Sequence, residues 1–379
     1  MMHDLKLSKF MYETVAGGHS NQLSISSVCN GKCIFCSNKM NPFTIYHPGF
    51  RPLNDIKKGI ALLNPNSSQE IRIGDSLPGR ISEGEALLHP DIFKVLKLIR
   101  EKAPNTIIQV NTNGTMLTKD FIKKLIPSQP MRISISYHSN NPKFWRKIFN
   151  LGHTEYQTAH DSFIHLAKNK FKIEGVMVPL PSLVGYSDIE NSIKRLTAFT
   201  NHFYVYLPGY TSKTSSDLKK ILDVDYRELS SFLIKMRKKY RIDIEVPSDL
   251  LKPISFSPYK LMLNSYYEKR QNVLWLISEG AYKQARKILK DFNPFLPNEH
   301  FAYMVKNNTY RGNIICAGLL MVSDFKTAAK KAKNELIKKG IKISLIILPK
   351  ISFDRFGDDL KGVNYSELID EFQVPIWLG

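Results

Sequence analysis

Three cysteines fall within eight residues, Cys29-Asn30-Gly31-Lys32-Cys33-Ile34-Phe35-Cys36, and only Cys316 stands elsewhere in the chain. A C-x3-C-x2-C loop can curl until its sulfurs face one centre, which is a metal geometry and no disulfide pattern. Three thiolates on a four-iron cluster leave one iron without a protein ligand, and an open coordination position is what a catalytic metal needs. The alternative is a structural zinc with His47 as fourth ligand. Zinc ligands usually come in two short knuckles, however, and His47 lies beyond Asn41-Pro42 with no second cysteine beside it.

A second reactive texture is Ser82-Glu83-Gly84-Glu85-Ala86-Leu87-Leu88-His89-Pro90. A glycine between carboxylates at a strand end lets backbone carbonyls and an acid approach a ligand ammonium, because no side chain blocks the way. Asn111-Thr112-Asn113-Gly114 ends a β-rich run in turn chemistry, and Arg132-Ile133-Ser134-Ile135-Ser136 sets two hydroxyls on one side of a strand. Cys316, between Ile315 and Ala317, reads as a small core residue of an apolar strand.

The elements that must carry these residues alternate. Expected strands are Gln22–Ser26, Ile71–Ile73, Thr106–Val110, Arg132–Ser136, Lys172–Val178 and Phe203–Leu207. Between them helical spacing runs over Leu53–Leu63, with Asn54 or Asp55 to cap it, then Asp91–Lys102, Thr118–Ile126, Glu155–Lys168 and Asp188–Phe199. Six strand-helix alternations predict a parallel sheet whose ligand site lies at the carboxyl ends of the strands, and every motif named above falls at such an end. Beyond Leu207 come a basic helix over Asp223–Tyr240, a short strand over Asp243–Pro247, and a proline-rich boundary from Pro247 to Pro258. The remainder reads as a second α/β unit: strands Asn272–Ile277, Ile314–Leu320 and Lys342–Leu348, helices Tyr282–Asp291 and Asp324–Lys339, and a turn holding Pro294 and Pro297.

The 379 residues are 43% hydrophobic and 23% charged, as in an ordinary globular protein with ample core. With 54 basic and 34 acidic residues the chain carries +20, which could mark a nucleic-acid partner. The lysines are spread over helix faces without an arginine-rich arm or aromatic platform, so a solvated surface is favoured over nucleic acid. No membrane-length apolar run and no signal pattern at Met1-Met2-His3-Asp4 is seen, and the cysteine usage suits a reducing cytoplasm.

The C-x3-C-x2-C loop, with Phe35 before its last cysteine, resembles the cluster loop of the radical S-adenosylmethionine (SAM) superfamily. The resemblance implies that Cys29, Cys33 and Cys36 hold a [4Fe-4S] cluster whose open iron chelates SAM, and that Phe35 borders the adenine. Glu83, Gly84, Glu85 and Ala86 resemble the family's Gly-Gly-Glu-Pro motif, which holds the SAM amino group, although the first glycine and the proline are absent. Asn111, Asn113, Ser134 and Ser136 match further cofactor contacts at the same rim. The second half resembles a companion domain of some anaerobe radical-SAM proteins, one of them a cobalamin-dependent arginine methyltransferase of methyl-coenzyme M reductase. The matching stretches are Leu276–Gly280, Ile314–Leu320 with Asp324, Ile347–Pro349, Asp358–Leu360, Glu367-Leu368 and Val374-Pro375.

The expected fold is therefore α/β: a partial (β/α)6 radical-SAM barrel over residues 21–215, after an N-terminal segment 1–20. A helical extension and linker over 216–257 and a smaller C-terminal α/β accessory domain over 258–379 follow. The expected activity is reductive SAM cleavage and hydrogen abstraction from an unidentified substrate, a peptide or protein among the candidates, with electrons from a ferredoxin- or flavodoxin-like donor. The alternatives are a cobalamin-dependent methyltransferase and a zinc-stabilised nucleic-acid-binding module. No catalytic side chain beyond the cofactor contacts is indicated, and His138, His153 and Trp145 read equally as packing residues.

Overall fold

The computed structural model describes residues 21–66, 70–75, 82–246, 272–293, 299–354 and 356–379. The N-terminal segment, the stretch 76–81, the Pro247–Pro258 boundary and the turn with Pro294 and Pro297 lie outside the described residues. The chain divides into two compact units, Met1–Gly209 with Thr214–Pro247, and Tyr210–Lys213 with Ser248–Gly379.

In the first unit β1 (Gln22–Leu23), β2 (Ile71–Ile73), β3 (Ile108–Thr112), β4 (Met131–Ser136), β5 (Lys172–Met177), β6 (His202–Val205) and β7 (Asp243–Glu245) form one sheet, its spatial order equal to its chain order. Every neighbouring pair is parallel. Right-handed crossovers that each advance one strand in the same direction put all the helices on one face. The sheet thus curls as an open barrel with its other face inward. The six expected strands are all present, and the short strand expected over Asp243–Pro247 extends the same sheet as β7 instead of belonging to a linker.

Alternation decides which face is which. Ile71, Ile73, Ile108, Val110, Met131, Ile133, Ile135, Phe203, Val205 and Ile244 are buried on the helix side, opposite helix residues such as Val95, Ile99, Ile122, Phe163, Ile193 and Leu233. The intervening residues, among them Arg72, Gln109, Asn111, Arg132, Ser134, Glu174, His202, Tyr204 and Glu245, share the inner face. A parallel strand buried in protein on both faces would read as continuous apolar residues. These do not, so the inside is a polar lumen.

Two local expectations change. Helix Leu53–Leu62 starts on Pro52, which makes no side-chain cap, so Asn54 and Asp55 fall within its first turn. The basic helix expected over Asp223–Tyr240 starts at Tyr226, because the Asp225 carboxylate caps the Arg227 and Glu228 backbone N–H groups, and a separate helix, Ser216–Leu222, precedes it.

In the second unit β8 (Val273–Ser278), β9 (His300–Val305), β10 (Leu345–Leu348) and β11 (Ile376–Leu378) form a parallel sheet in the order β11-β10-β8-β9. The winding reverses beside β8, which places helices on both faces. Leu274 and Leu276 accordingly join a core with Phe325, Ala329 and Leu368, while Val273, Trp275 and Ile277 pack with Ala285 and Leu289. The stretch Ile314–Leu320 is no strand: it is irregular and ends in the 3-10 turn Ala317–Leu319. Its carbonyls find other partners, Ile315 accepting from Gly280 N–H, Ala317 from the Ser352 hydroxyl and Leu319 from the Asn307 amide. Cys316 is consequently exposed and not a core residue. The Asp324 and Asp359 carboxylates accept from Met321 and Val322 N–H at the start of helix Val322–Ile337, which gives these two motif residues a structural task.

Candidate active site

The cysteine loop leaves the carboxyl end of β1 and is pinned from two sides. Lys32 N–H donates to Phe149 O and Ile34 N–H to Ile148 O at the end of helix Pro142–Phe149. On the other side Asn30 Oδ1 accepts from the Asn113 amide at 2.8 Å, and Asn30 Nδ2 donates to Thr115 Oγ1 at 2.9 Å. A short helix, Ser37–Met40, begins directly after Cys36.

None of the three loop cysteines is fully buried. Burial, and then the charges of Cys36 and Cys29, push the Cys33 thiol up to about 12. Burial and the charges of Glu85 and Cys36 likewise raise Cys29. Cys29 and Cys33, whose ionisation burial and neighbouring charge oppose, need a positive centre to become thiolates, which iron supplies. Among the described residues no group of three or more His, Cys, Asp or Glu side chains is placed to hold a metal ion. A cluster sets a different requirement, since each thiolate takes its own iron.

The segment Glu83-Gly84-Glu85 lies against the chain that enters the loop. Gly84 N–H donates to Ser26 O at 2.8 Å and Glu85 N–H to Val28 O at 2.9 Å. A Cβ on Gly84 would stand 2.1 Å from Val28 O and 2.9 Å from Ser27 C, so only glycine allows this approach. The Glu85 carboxylate accepts from Asn113 N–H (2.7 Å), Thr112 Oγ1 (2.7 Å) and Leu87 N–H (3.2 Å), and burial still pushes it up to about 7. Glu83 is also buried, and burial raises it to about 8. Its carboxylate accepts from the Ser24 hydroxyl, and its backbone carbonyl accepts from Asn38 Nδ2.

Phe35 meets His138 edge to face, centroids 4.6 Å apart, and His138 stacks on Phe149 at 4.9 Å. His138 Nδ1 accepts from Val178 N–H, and burial lowers this imidazole to about 3, so it stays neutral. Trp145 is buried against Phe149, whereas His153 is exposed at the start of helix His153–Lys168.

The fold thus brings Cys29, Cys33, Cys36, Glu83, Gly84, Glu85 and Asn113 to one rim. Asn111 and Ser134 belong to a hydrogen-bonded chain on the inner face. Asn111 Nδ2 donates to Asp75 and its Oδ1 accepts from Gln109, while the Ser134 hydroxyl accepts from Gln109 and donates to Glu174 at 2.7 Å. Ser136, the last residue of β4, pairs in register with Val176 of β5. Asn30, Asp75, Gln109, Thr112, Glu174, His202, Tyr204 and Tyr206 were not singled out from the sequence. A polar residue at every second strand position was the signal available for most of them.

A single-wound parallel barrel with a cysteine loop at its carboxyl rim defines a class of enzyme that holds a metallocofactor beside a polar lumen. Residues 23–214 match the Radical SAM superfamily, and the chain belongs to it. Its family cofactors are a [4Fe-4S] cluster and SAM. Similar curated proteins include the FeMo cofactor biosynthesis protein NifB of Methanocaldococcus jannaschii, 26% identical over 38% of this chain and 51% of that protein. A probable GTP 3',8-cyclase of the same organism is 23% identical over 59% of this chain and 73% of its own length. The GTP 3',8-cyclase of Aquifex aeolicus is 31% identical over 34% of this chain and 38% of its own length. The chain spans about half the length, or less, of the NifB proteins it matches. Among solved structures, SAM-bound Streptococcus suis SuiB aligns at a TM-score of 0.48 with 16% identity, covering 69% of this chain and 58% of that one. No helix among the described residues is long and apolar enough to cross a membrane.

Proposed function

We propose that the protein cleaves SAM reductively at a [4Fe-4S] cluster held by Cys29, Cys33 and Cys36, and abstracts hydrogen from a substrate admitted to the lumen. When bound, the cluster and SAM would supply the radical chemistry, through one-electron reductive cleavage of the sulfonium. The chain's own part is placement. Asn30, Asn113 and Phe149 O hold the cysteine loop, and Gly84 brings the Glu83 carbonyl and the Glu85 carboxylate beside it for the methionine end of SAM. Phe35, braced by His138, would border the adenine. Asn113 and Ser136 would add contacts at the rim, with Asn111 and Ser134 as its floor.

The observation that carries this reading is the main-chain pairing of residues 26–28 with 84–85, which ties the cysteine loop and the Glu-Gly-Glu turn into one support. Glu85→Ala tests the placement. Removing a charge-assisted hydrogen bond to the SAM ammonium is expected to weaken SAM binding roughly ten- to a hundredfold. Equilibrium dialysis reads this directly, and an unaltered dissociation constant at full iron content would remove Glu85 from the proposal.

A further inference from the structure

The inner face of the seven-stranded sheet carries charge of the opposite sign to the protein as a whole. Glu70, Asp75, Glu174, Asp243 and Glu245 face Arg72, Arg132, Lys172 and His202 there, although the chain carries a net +20. Most of these charges are consumed locally. Arg132 pairs with Glu70 at 2.9 Å, and Glu174 receives His202 Nδ1 at 3.0 Å as well as the Ser134 hydroxyl. His202 Nε2 lies 3.2 Å from Glu245, so the imidazole bridges β5 and β7.

Asp75, at the carboxyl end of β2, is more loosely engaged. Among the described residues its oxygens accept hydrogen bonds from neutral amides, Asn111 Nδ2 at 3.0 Å and Gln22 Nε2 at 3.1 Å. The half-exposed Arg72 forms a loose ion pair with it at 3.7 Å. Beside this chain Gln109, only 7% exposed, spends its Nε2 on Asn111 and Ser134, while its side-chain carbonyl accepts no hydrogen bond among the described residues. From the far side of the curled sheet come Tyr204 and Tyr206, their rings edge to face at 4.7 Å and their hydroxyls without a hydrogen bond among the described residues. Burial, and then the Asp75 carboxylate, hold the Tyr206 hydroxyl above its ordinary range; Tyr204 is pushed up to about 12 by burial, Glu245 and Asp75. The two walls therefore feel one another's charge.

We propose that this lumen binds a cationic group of the substrate, an alkylammonium or guanidinium, against Asp75, the Gln109 carbonyl and the tyrosine pair. The unused hydrogen-bonding capacity of Asp75 and Gln109 is acceptor capacity, which suits a ligand that brings donors and a positive charge. Aromatic faces add a cation–π component and strip the ligand of water. Calling this ligand the substrate rests on the radical SAM reading of the rim; the cation site itself does not.

The test uses full-length, cluster-loaded protein with SAM under anaerobic conditions. Titration calorimetry compares Nα-acetyl-arginine amide and Nα-acetyl-lysine amide with the norleucine amide and glutamate amide analogues as neutral and anionic controls. The cationic probes are expected to bind at least about tenfold more tightly than the neutral one, and the stronger of the two decides between guanidinium and ammonium. Asp75→Asn should abolish that preference and leave the SAM dissociation constant unchanged. Tyr206→Leu, at a 40% exposed position that tolerates replacement, should weaken it. Equal binding of the norleucine probe, tighter binding of the glutamate probe, absence of binding by either cation, or full preference in Asp75→Asn would each overturn the proposal. Iron content and SAM affinity measured on the same samples report separately on the rim, so a failure there is distinct from a failure in the lumen.

Discussion

Replacing Gly84 with alanine perturbs the cysteine loop from 55 residues away in sequence, counted from Cys29. The added methyl carbon would sit 2.1 Å from Val28 O, 2.5 Å from Val28 C and 2.9 Å from Ser27 C, all of them backbone atoms. Ordinary contact begins near about 3.5 Å, so the two segments must separate by roughly 1 Å. Overpacking of this kind costs about 1–3 kcal/mol, and the backbone bonds from Gly84 and Glu85 to Ser26 and Val28 are worth about 1 kcal/mol each. A total near 3–5 kcal/mol corresponds to a fall in Tm of about 10 °C. Cys29 follows Val28 directly, so the displacement also reaches the cluster ligands, and iron and sulfide per chain should drop with it. Gly31→Ala is the control. It lies inside the cysteine loop, yet its added carbon would find no atom closer than 3.7 Å, so iron content should hold. The assay is paired iron, sulfide and thermal-unfolding measurement on both variants. Full iron loading and an unchanged Tm in Gly84→Ala, or loss of iron in Gly31→Ala alone, would refute the argument.

Burial raises the Glu83 carboxyl from 4.5 to about 8. Between those values the folded chain holds a proton that the unfolded chain has released, so this stabilisation is complete below about pH 4.5 and lost as the pH rises to about 8. Glu83→Gln cannot titrate, and its unfolding free energy should depend less on pH across that window; parallel curves for the two proteins would contradict the assignment. With SAM and reductant the reconstituted enzyme should form 5′-deoxyadenosine without added cobalamin, and S-adenosylhomocysteine that appears only when cobalamin is present would favour methyl transfer instead.

The cysteine loop, the Glu83-Gly84-Glu85 turn and the six barrel strands were legible because each rests on a local signal: spacing, a glycine between acids, or period-two alternation. Ile314–Leu320 misled because an apolar run by itself fixes neither conformation nor burial: only Leu320 in it is buried, and its carbonyls are claimed by Gly280, Ser352 and Asn307. β9, with its half-buried Phe301, Ala302, Tyr303 and Met304, lacks the clean alternation that would have shown it. The start of the basic helix at Tyr226 turned on which carboxylate reaches a backbone donor, a choice made by geometry. The lumen was hidden differently. Gln109, Glu174, His202 and Tyr204 sit one or two to a strand, and register alone turns them into a single surface.

The central claim, three thiolates on a cluster with one open iron, is tested most directly by electron paramagnetic resonance of the anaerobically reduced protein with and without SAM. The account predicts about four irons per chain, a signal that changes when SAM is added, and loss of iron and signal in a folded variant with Cys29, Cys33 and Cys36 all replaced by alanine. Stoichiometric iron and sulfide retained in that variant, or a wild-type signal indifferent to SAM, would contradict it.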